Sequence, residues 1–161
     1  MRRTLLGGLA LTALAVAAPR PAVAKGPTVR IVLICQWSSR AIEITDSATA
    51  RAFGPFNNGF FQPAGGDATP AAGAKPCQAF FFANMGQGKV MMMYTAAYVP
   101  GADGQPGSIR LPAAGEPWSA LNASTYRRPE LEGRWLKATA AWDALFRPLI
   151  AAADGQQKTP A

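Results

Sequence analysis

The chain has 161 residues, of which 16 are Lys or Arg, nine are Asp or Glu, and none is His. The lack of histidine excludes a Ser-His-Asp triad, a Cys-His nucleophile and imidazole-ligated zinc. The formal charge of +7 overstates the case for a nucleic-acid or membrane partner, because part of it falls in a segment that export would remove.

That segment is residues 1–24. Arg2 and Arg3 give a charged start, Leu5 to Ala18 is apolar, and Ala22-Val23-Ala24 fits small-residue cleavage. The apolar run is too short to span a bilayer comfortably, so a cleaved export signal is expected, with no transmembrane span left afterwards. Arg2-Arg3-Thr4-Leu5-Leu6 resembles a twin-arginine export signal; an ordinary Sec signal that begins with two arginines is the other reading. Arg2, Arg3 and Arg20 lie in this segment, so the remaining 137 residues carry 13 basic against nine acidic groups, or +4. That length supports one domain with a real core. The expected organisation is a globular α+β domain over residues 25–153 and a polar, flexible tail over 154–161.

Thr28 to Cys35 (TVRIVLIC) is β-branched and nearly all apolar, as an interior strand requires. Val29, Ile31, Leu33 and Cys35 should share one face, with Val32 and Ile34 on the other. Ala41 to Ile44 alternates as a second strand, with Glu43 toward solvent. Thr45-Asp46-Ser47 carries the short oxygen side chains of a helix start, predicting a short helix over Ser47 to Phe53 that Gly54-Pro55 ends. Phe56, Phe60 and Phe61 bracket a turn at Asn57-Asn58-Gly59. Pro63 to Pro76 is Ala/Gly/Pro-rich with little to bury, and reads as an exposed, mobile loop.

Cys77 to Pro100 is the richest stretch. Phe80-Phe81-Phe82 and Val90-Met91-Met92-Met93-Tyr94 flank Asn84-Met85-Gly86-Gln87-Gly88, a pattern that predicts a β-hairpin inside a sheet. Gly86-Gln87-Gly88-Lys89 is turn chemistry; Val90 stands where a phosphate loop needs Ser or Thr. Pro100 to Gly107 is a loop and Ser108 to Leu111 a short strand, completing a three-stranded meander. A short helix is expected near Trp118 to Asn122. Asn122-Ala123-Ser124 matches a glycosylation sequon, without consequence in a bacterial protein. Gly133 to Lys137 predicts a last short strand. Thr139 then caps a terminal helix with an apolar stripe of Trp142, Leu145, Phe146, Leu149 and Ile150. Asp143 and Arg147 read as a surface i,i+4 pair, and Pro148 as a kink.

The predicted fold is therefore α+β. A mixed, largely antiparallel sheet of about five or six strands carries a C-terminal amphipathic helix on one face and a short helix after the second strand. Cys35 and Cys77 lie beside apolar strands in a chain expected to be exported, so a disulfide is predicted. It closes a loop of about 40 residues, worth roughly 3–4 kcal/mol in the chain-entropy model.

Three candidate chemistries remain. Glu130 and Glu132 share a face if their segment is extended, and Glu43 and Asp46 flank a strand-to-helix corner; paired carboxylates can hydrolyse glycosides. Met85, Met91 and Met93 supply soft thioethers suited to Cu(I), although methionine is also an adaptable core filler. Arg127, Arg128 and Arg134, with Tyr126 and Trp135 nearby, are a candidate anion or partner contact, diluted by interleaved glutamates. No cofactor motif occurs and no nucleic-acid partner is expected. The leading expectation is a periplasmic or secreted, non-enzymatic module of a bacterial envelope that binds a protein or another envelope component. A carboxylate hydrolase of envelope glycans and a Cu(I) carrier are the alternatives.

Overall fold

The β-branched run TVRIVLIC forms β1 (Thr28–Cys35), whose small turn leads into β2 (Ile42–Ile44). The computed structural model describes residues 26–38, 40–54, 66–102 and 104–157. The expected export signal, the aromatic-flanked turn from Phe56 to Phe61 and the last residues of the tail lie outside the described residues. The further elements are α1 (Ser47–Ala52), β3 (Cys77–Asn84), β4 (Val90–Val99), β5 (Ser108–Arg110), α2 (Ser119–Thr125), β6 (Trp135–Lys137) and α3 (Ala140–Gln157). The strands make one six-stranded sheet in the order β2-β1-β3-β4-β5-β6. Every neighbouring pair is antiparallel. The parallel component that a mixed sheet implies is a lone bridge between Leu111 and Glu132.

One face of the sheet is the core. Ile31, Leu33, Ala79, Phe81, Tyr94 and Tyr98 are buried there. Against them lies the stripe of α3, with Trp142, Phe146 and Ile150 buried and Leu145 and Leu149 partly so. Trp142 meets Phe53 edge-on at 5.3 Å, Phe81 at 6.1 Å and Tyr98 in a stack at 5.9 Å. Burial of each such side chain is worth about 1.5–3 kcal/mol, so α3 is held by its stripe and not by helix propensity. The Asp46 carboxylate caps α1 by accepting from Thr49 N–H at 2.8 Å. Thr139 Oγ1 accepts from Trp142 N–H at 3.4 Å at the start of α3.

Cys35 and Cys77 stand directly opposite one another on β1 and β3 and are disulfide-bonded. The hairpin turn is built as its sequence requires. Asn84 Oδ1 accepts from Gly86 N–H at 2.9 Å, and Gly86, Gln87 and Gly88 all take positive φ.

Several expectations are corrected. A bulge in β1 pairs Thr28 with Ala83 and Arg30 with Phe82, so Val29 is the extra residue and Thr28 takes the buried position. A second bulge leaves Met93 between the Phe81–Tyr94 and Phe82–Met92 pairs. The segment around Asp67 is not simply an exposed loop. Ala68 N–H donates to the Trp135 carbonyl at 2.9 Å and Asp67 bridges Leu136, which covers the outer edge of β6. Backbone pairing needs no apolar side chains, so composition hides it. Residue Asp154 is not frayed tail either: it accepts from Trp37 Nε1–H within α3, which continues to Gln157.

The Asp143–Arg147 i,i+4 pair forms as expected, but Asp143 is half-buried and does more than pair. Its carboxylate accepts from the Tyr98 hydroxyl at 2.5 Å and from Gly107 N–H at 3.1 Å, and Arg147 approaches it at 3.3 Å. Gly107 is required there, since a Cβ would stand 2.7 Å from both Asp143 Oδ1 and the Tyr98 ring. Arg147 also donates to the carbonyls of Gly101 and Gln105, tying the β4–β5 loop to α3.

Candidate functional site

The face of the sheet opposite α3 is where polar and aromatic groups converge. Antiparallel register places Ile34, Gln78, Ala97, Arg110 and Trp135 in one row across five strands. Alternation puts this row on the other side from Cys77, Ala79 and Tyr98. Ala97 is the small member between Gln78 and Arg110, and the row dips there. The β5–α2 connection supplies the rim, so that Gln78, Ala97, Arg110, Pro112, Glu116 and Trp118 line a groove of about 340 Å³.

Arg110 and Glu116 form the polar wall. Two guanidinium nitrogens meet the two carboxylate oxygens at 2.9 and 2.7 Å, and Arg110 Nε–H donates to the Gly133 carbonyl at 3.2 Å. Glu116 further accepts from Ala113 N–H at 2.8 Å. The Arg110 hydrogen bonds first, and the Ala113 N–H second, hold the Glu116 carboxyl below its ordinary pKa. Gln78 Nε2–H donates to Thr95 Oγ1, which in turn donates to the Ala79 carbonyl at 2.8 Å. The Gln78 side chain is thereby fixed in orientation.

Trp118 is the unusual member. It is the residue before α2, holds a left-handed backbone at φ 70° and ψ −5°, and makes no side-chain capping bond. The residue is 48% exposed, and its indole meets Phe80 edge-on at 5.8 Å. A left-handed conformation costs a non-glycine residue about 1–3 kcal/mol. An edge-to-face aromatic contact adds about 0.5–1.5 kcal/mol beyond area burial. Glycine would remove that strain altogether, so backbone geometry alone gives no preference for tryptophan here.

The rim is held by Asn122. The β4–β5 ladder ends at Ala97–Arg110, and Pro112 has no N–H with which to continue it. Asn122 takes over, its Oδ1 accepting from Thr95 N–H at 2.9 Å and its Nδ2–H donating to the Thr95 carbonyl at 2.8 Å. The side-chain amide thus acts as a short neighbouring strand and clamps α2 to β4. At 3% exposure with both amide atoms engaged, the Asn122 sequon is closed to modification in the folded chain.

The arginines singled out in the sequence lie elsewhere, on the α2–β6 connection. Arg128 pairs with Glu130 and lies over the Tyr126 ring at 5.9 Å. Arg134 pairs with Asp67, and Arg127 reaches Glu132 only at 3.9 Å. Each guanidinium faces its own carboxylate, which weakens a shared positive field. Glu130 and Glu132 are not on one extended face: Leu131 and Glu132 N–H groups both donate to the Arg128 carbonyl, so the segment is a turn. Of the other carboxylates, Asp46 is the α1 cap and Glu43 is exposed on β2. The β4 bulge interrupts the alternation that would align Met91 with Met93, and Met91 is 41% exposed. Among the described residues no group of three or more His, Cys, Asp or Glu could hold a metal ion.

A second cavity of about 430 Å³ is lined by Trp37, Lys75, Val99, Ile150 and Asp154 among others. Two of its polar groups, Trp37 and Asp154, already bond one another. None of the groove residues was prominent in the sequence. The signals present were a lone Gln within CQAFFFA, a lone Arg within SIRL, and a Trp immediately before a helix. No helix of the described residues is long and apolar enough to cross a membrane. No family model, curated protein or solved structure matches the chain.

Proposed function

We propose that this chain is an exported, non-enzymatic binding module of a bacterial envelope, whose ligand seats in the groove beside Trp118. The observation that carries the reading is the half-exposed indole kept on a strained backbone beside an ordered polar wall. Strained residues persist where the surroundings over-determine them, and they cluster at ligand sites. A concave site with one aromatic wall and a few oriented polar groups is the usual form of a small-ligand pocket. Export is supported by the charged and apolar character of residues 1–24 and by the Cys35–Cys77 disulfide, which persists in an oxidising compartment.

Binding is favoured over catalysis by the state of Glu116. A general acid needs a raised pKa, whereas Arg110 holds this carboxylate ionised and engaged. The test is a titration of the ¹⁵N-labelled chain from Lys25 onward with soluble envelope fractions. The Trp118 indole, Gln78 amide and Arg110 Nε signals should move together and saturate. Shifts confined to other surfaces overturn the reading, as does a groove that responds neither to these fractions nor to the pure ligands tested below.

A further inference from the structure

We infer that the ligand is an uncharged saccharide, with a pyranose ring lying on the Trp118 indole; this rests on the groove being the binding site. The charge of the site argues first. Arg110 and Glu116 neutralise one another through two bonds of 2.9 and 2.7 Å, and among the described residues no other charged side chain lines the groove. The wall therefore carries no net charge with which to attract a charged ligand.

The shape of the polar groups argues second. A guanidinium has five donors, and Arg110 uses three, toward Gly133 and the two Glu116 oxygens. Gln78 commits one amide hydrogen to Thr95, leaving a second hydrogen and a carbonyl oxygen. The wall therefore presents unused donors together with an acceptor. A hydroxyl both donates and accepts, so a ring bordered by hydroxyls satisfies such a wall, whereas an aromatic or aliphatic ligand leaves it unpaired.

The indole argues third. The C–H face of a pyranose is apolar and flat, and stacks on an aromatic face. Phe80 meets the indole edge-to-face at 5.8 Å and 81°, and Trp118 remains 48% exposed, so the contact braces the ring without covering it. Ala97 supplies a low floor between the two polar members, and all three line the same groove as the indole. The volume of about 340 Å³ lies at the small end of ligand pockets, which suits a terminal or short saccharide.

The experiment is a titration of the chain from Lys25 onward with chitotetraose, cellotetraose and maltotetraose, read by nuclear magnetic resonance and tryptophan fluorescence. At least one should bind with millimolar or tighter affinity and shift the Trp118 indole and Gln78 amide signals. Trp118→Gly, which relieves the backbone, should retain the folded spectrum and weaken binding by about tenfold or more. Trp118→Phe should keep part of the affinity. The inference fails if none of the three sugars shifts the groove, or if Trp118→Gly leaves binding unchanged. Decaproline serves as the control: if it shifts the groove where no sugar does, the binding-module reading stands and the saccharide falls. If envelope fractions shift no groove signal and the sugars shift none either, both fall.

Discussion

The Tyr98 hydroxyl donates to Asp143 Oδ1 at 2.5 Å, and the same carboxylate receives the Gly107 N–H at 3.1 Å. One side chain of α3 thus satisfies a buried tyrosine of the central hairpin and the backbone of the β4–β5 loop. Asp143→Ala should cost about 2–4 kcal/mol, because it leaves two donors without their partner. Tyr98→Phe should cost only about 1 kcal/mol, since Asp143 keeps Gly107 and Arg147. Urea unfolding of the two variants gives the comparison; equal losses would contradict the hub role of Asp143.

Stability should fall in alkaline solution. Burial, first, pushes the ionisation of both Tyr94 and Tyr98 upward; the Asp143 bond adds to it at Tyr98 and the Glu132 charge at Tyr94. An unfolded tyrosine ionises at about pH 10. Both groups therefore contribute their full stability below that pH. Above it the unfolded chain loses protons that the folded chain keeps, and each tyrosine removes up to about 1.4 kcal/mol per pH unit. Urea midpoints measured from neutral to strongly alkaline pH should decline beyond that point, and less steeply in Tyr98→Phe. A flat profile would refute the assignment.

The disulfide spans 42 positions. Replacing both cysteines by serine should lower stability by about 4 kcal/mol in the chain-entropy model. Thiol titration without reductant should find no free thiol in the folded protein. Detection of two would remove the crosslink from the account.

Asn122→Ala strips Thr95 of its partners on both backbone groups. The expected loss is about 2–4 kcal/mol, two buried groups at about 1–2 kcal/mol each. Hydrogen exchange at the Thr95 amide should accelerate more than at Tyr98, on the same strand. Uniform acceleration would mean that α2 is not clamped through this residue.

Trp118 inverts the usual order of alanine and glycine. With φ at 70°, Trp118→Ala retains the strain and loses the ring, whereas Trp118→Gly loses both. The glycine variant should be the more stable of the two by about 1 kcal/mol. Thermal unfolding of the pair measures this directly, and an alanine variant at least as stable would show that the backbone relaxes.

Much of the fold was legible in the residue pattern because it rests on local periodicity. TVRIVLIC can bury two faces only inside a sheet, and Trp142, Phe146 and Ile150 recur at the spacing of one helix face. Asp46 reads as a cap from its position alone, since capping is a contact across three residues. Cys35 and Cys77 were the only two cysteines, so their pairing needed no geometry. The groove was not legible in this way. Gln78, Arg110 and Trp118 lie on separate segments, and each taken singly is an ordinary polar or aromatic residue.

The sequence by itself determined the class of the fold, the crosslink and the apolar face of the last helix, all consequences of short-range alternation and of composition. It also ruled out histidine chemistry outright. Tertiary structure alone decided the rest. Two bulges, each a single residue, reset which side chains of β1 and β4 face the core, and no local preference marks where an extra residue enters a ladder. Strand register aligned Gln78, Ala97 and Arg110. The end of the β4–β5 ladder at a proline called in Asn122, and with it the rim that carries Trp118. Long-range pairing sets these positions, and pairing is a property of the assembled sheet.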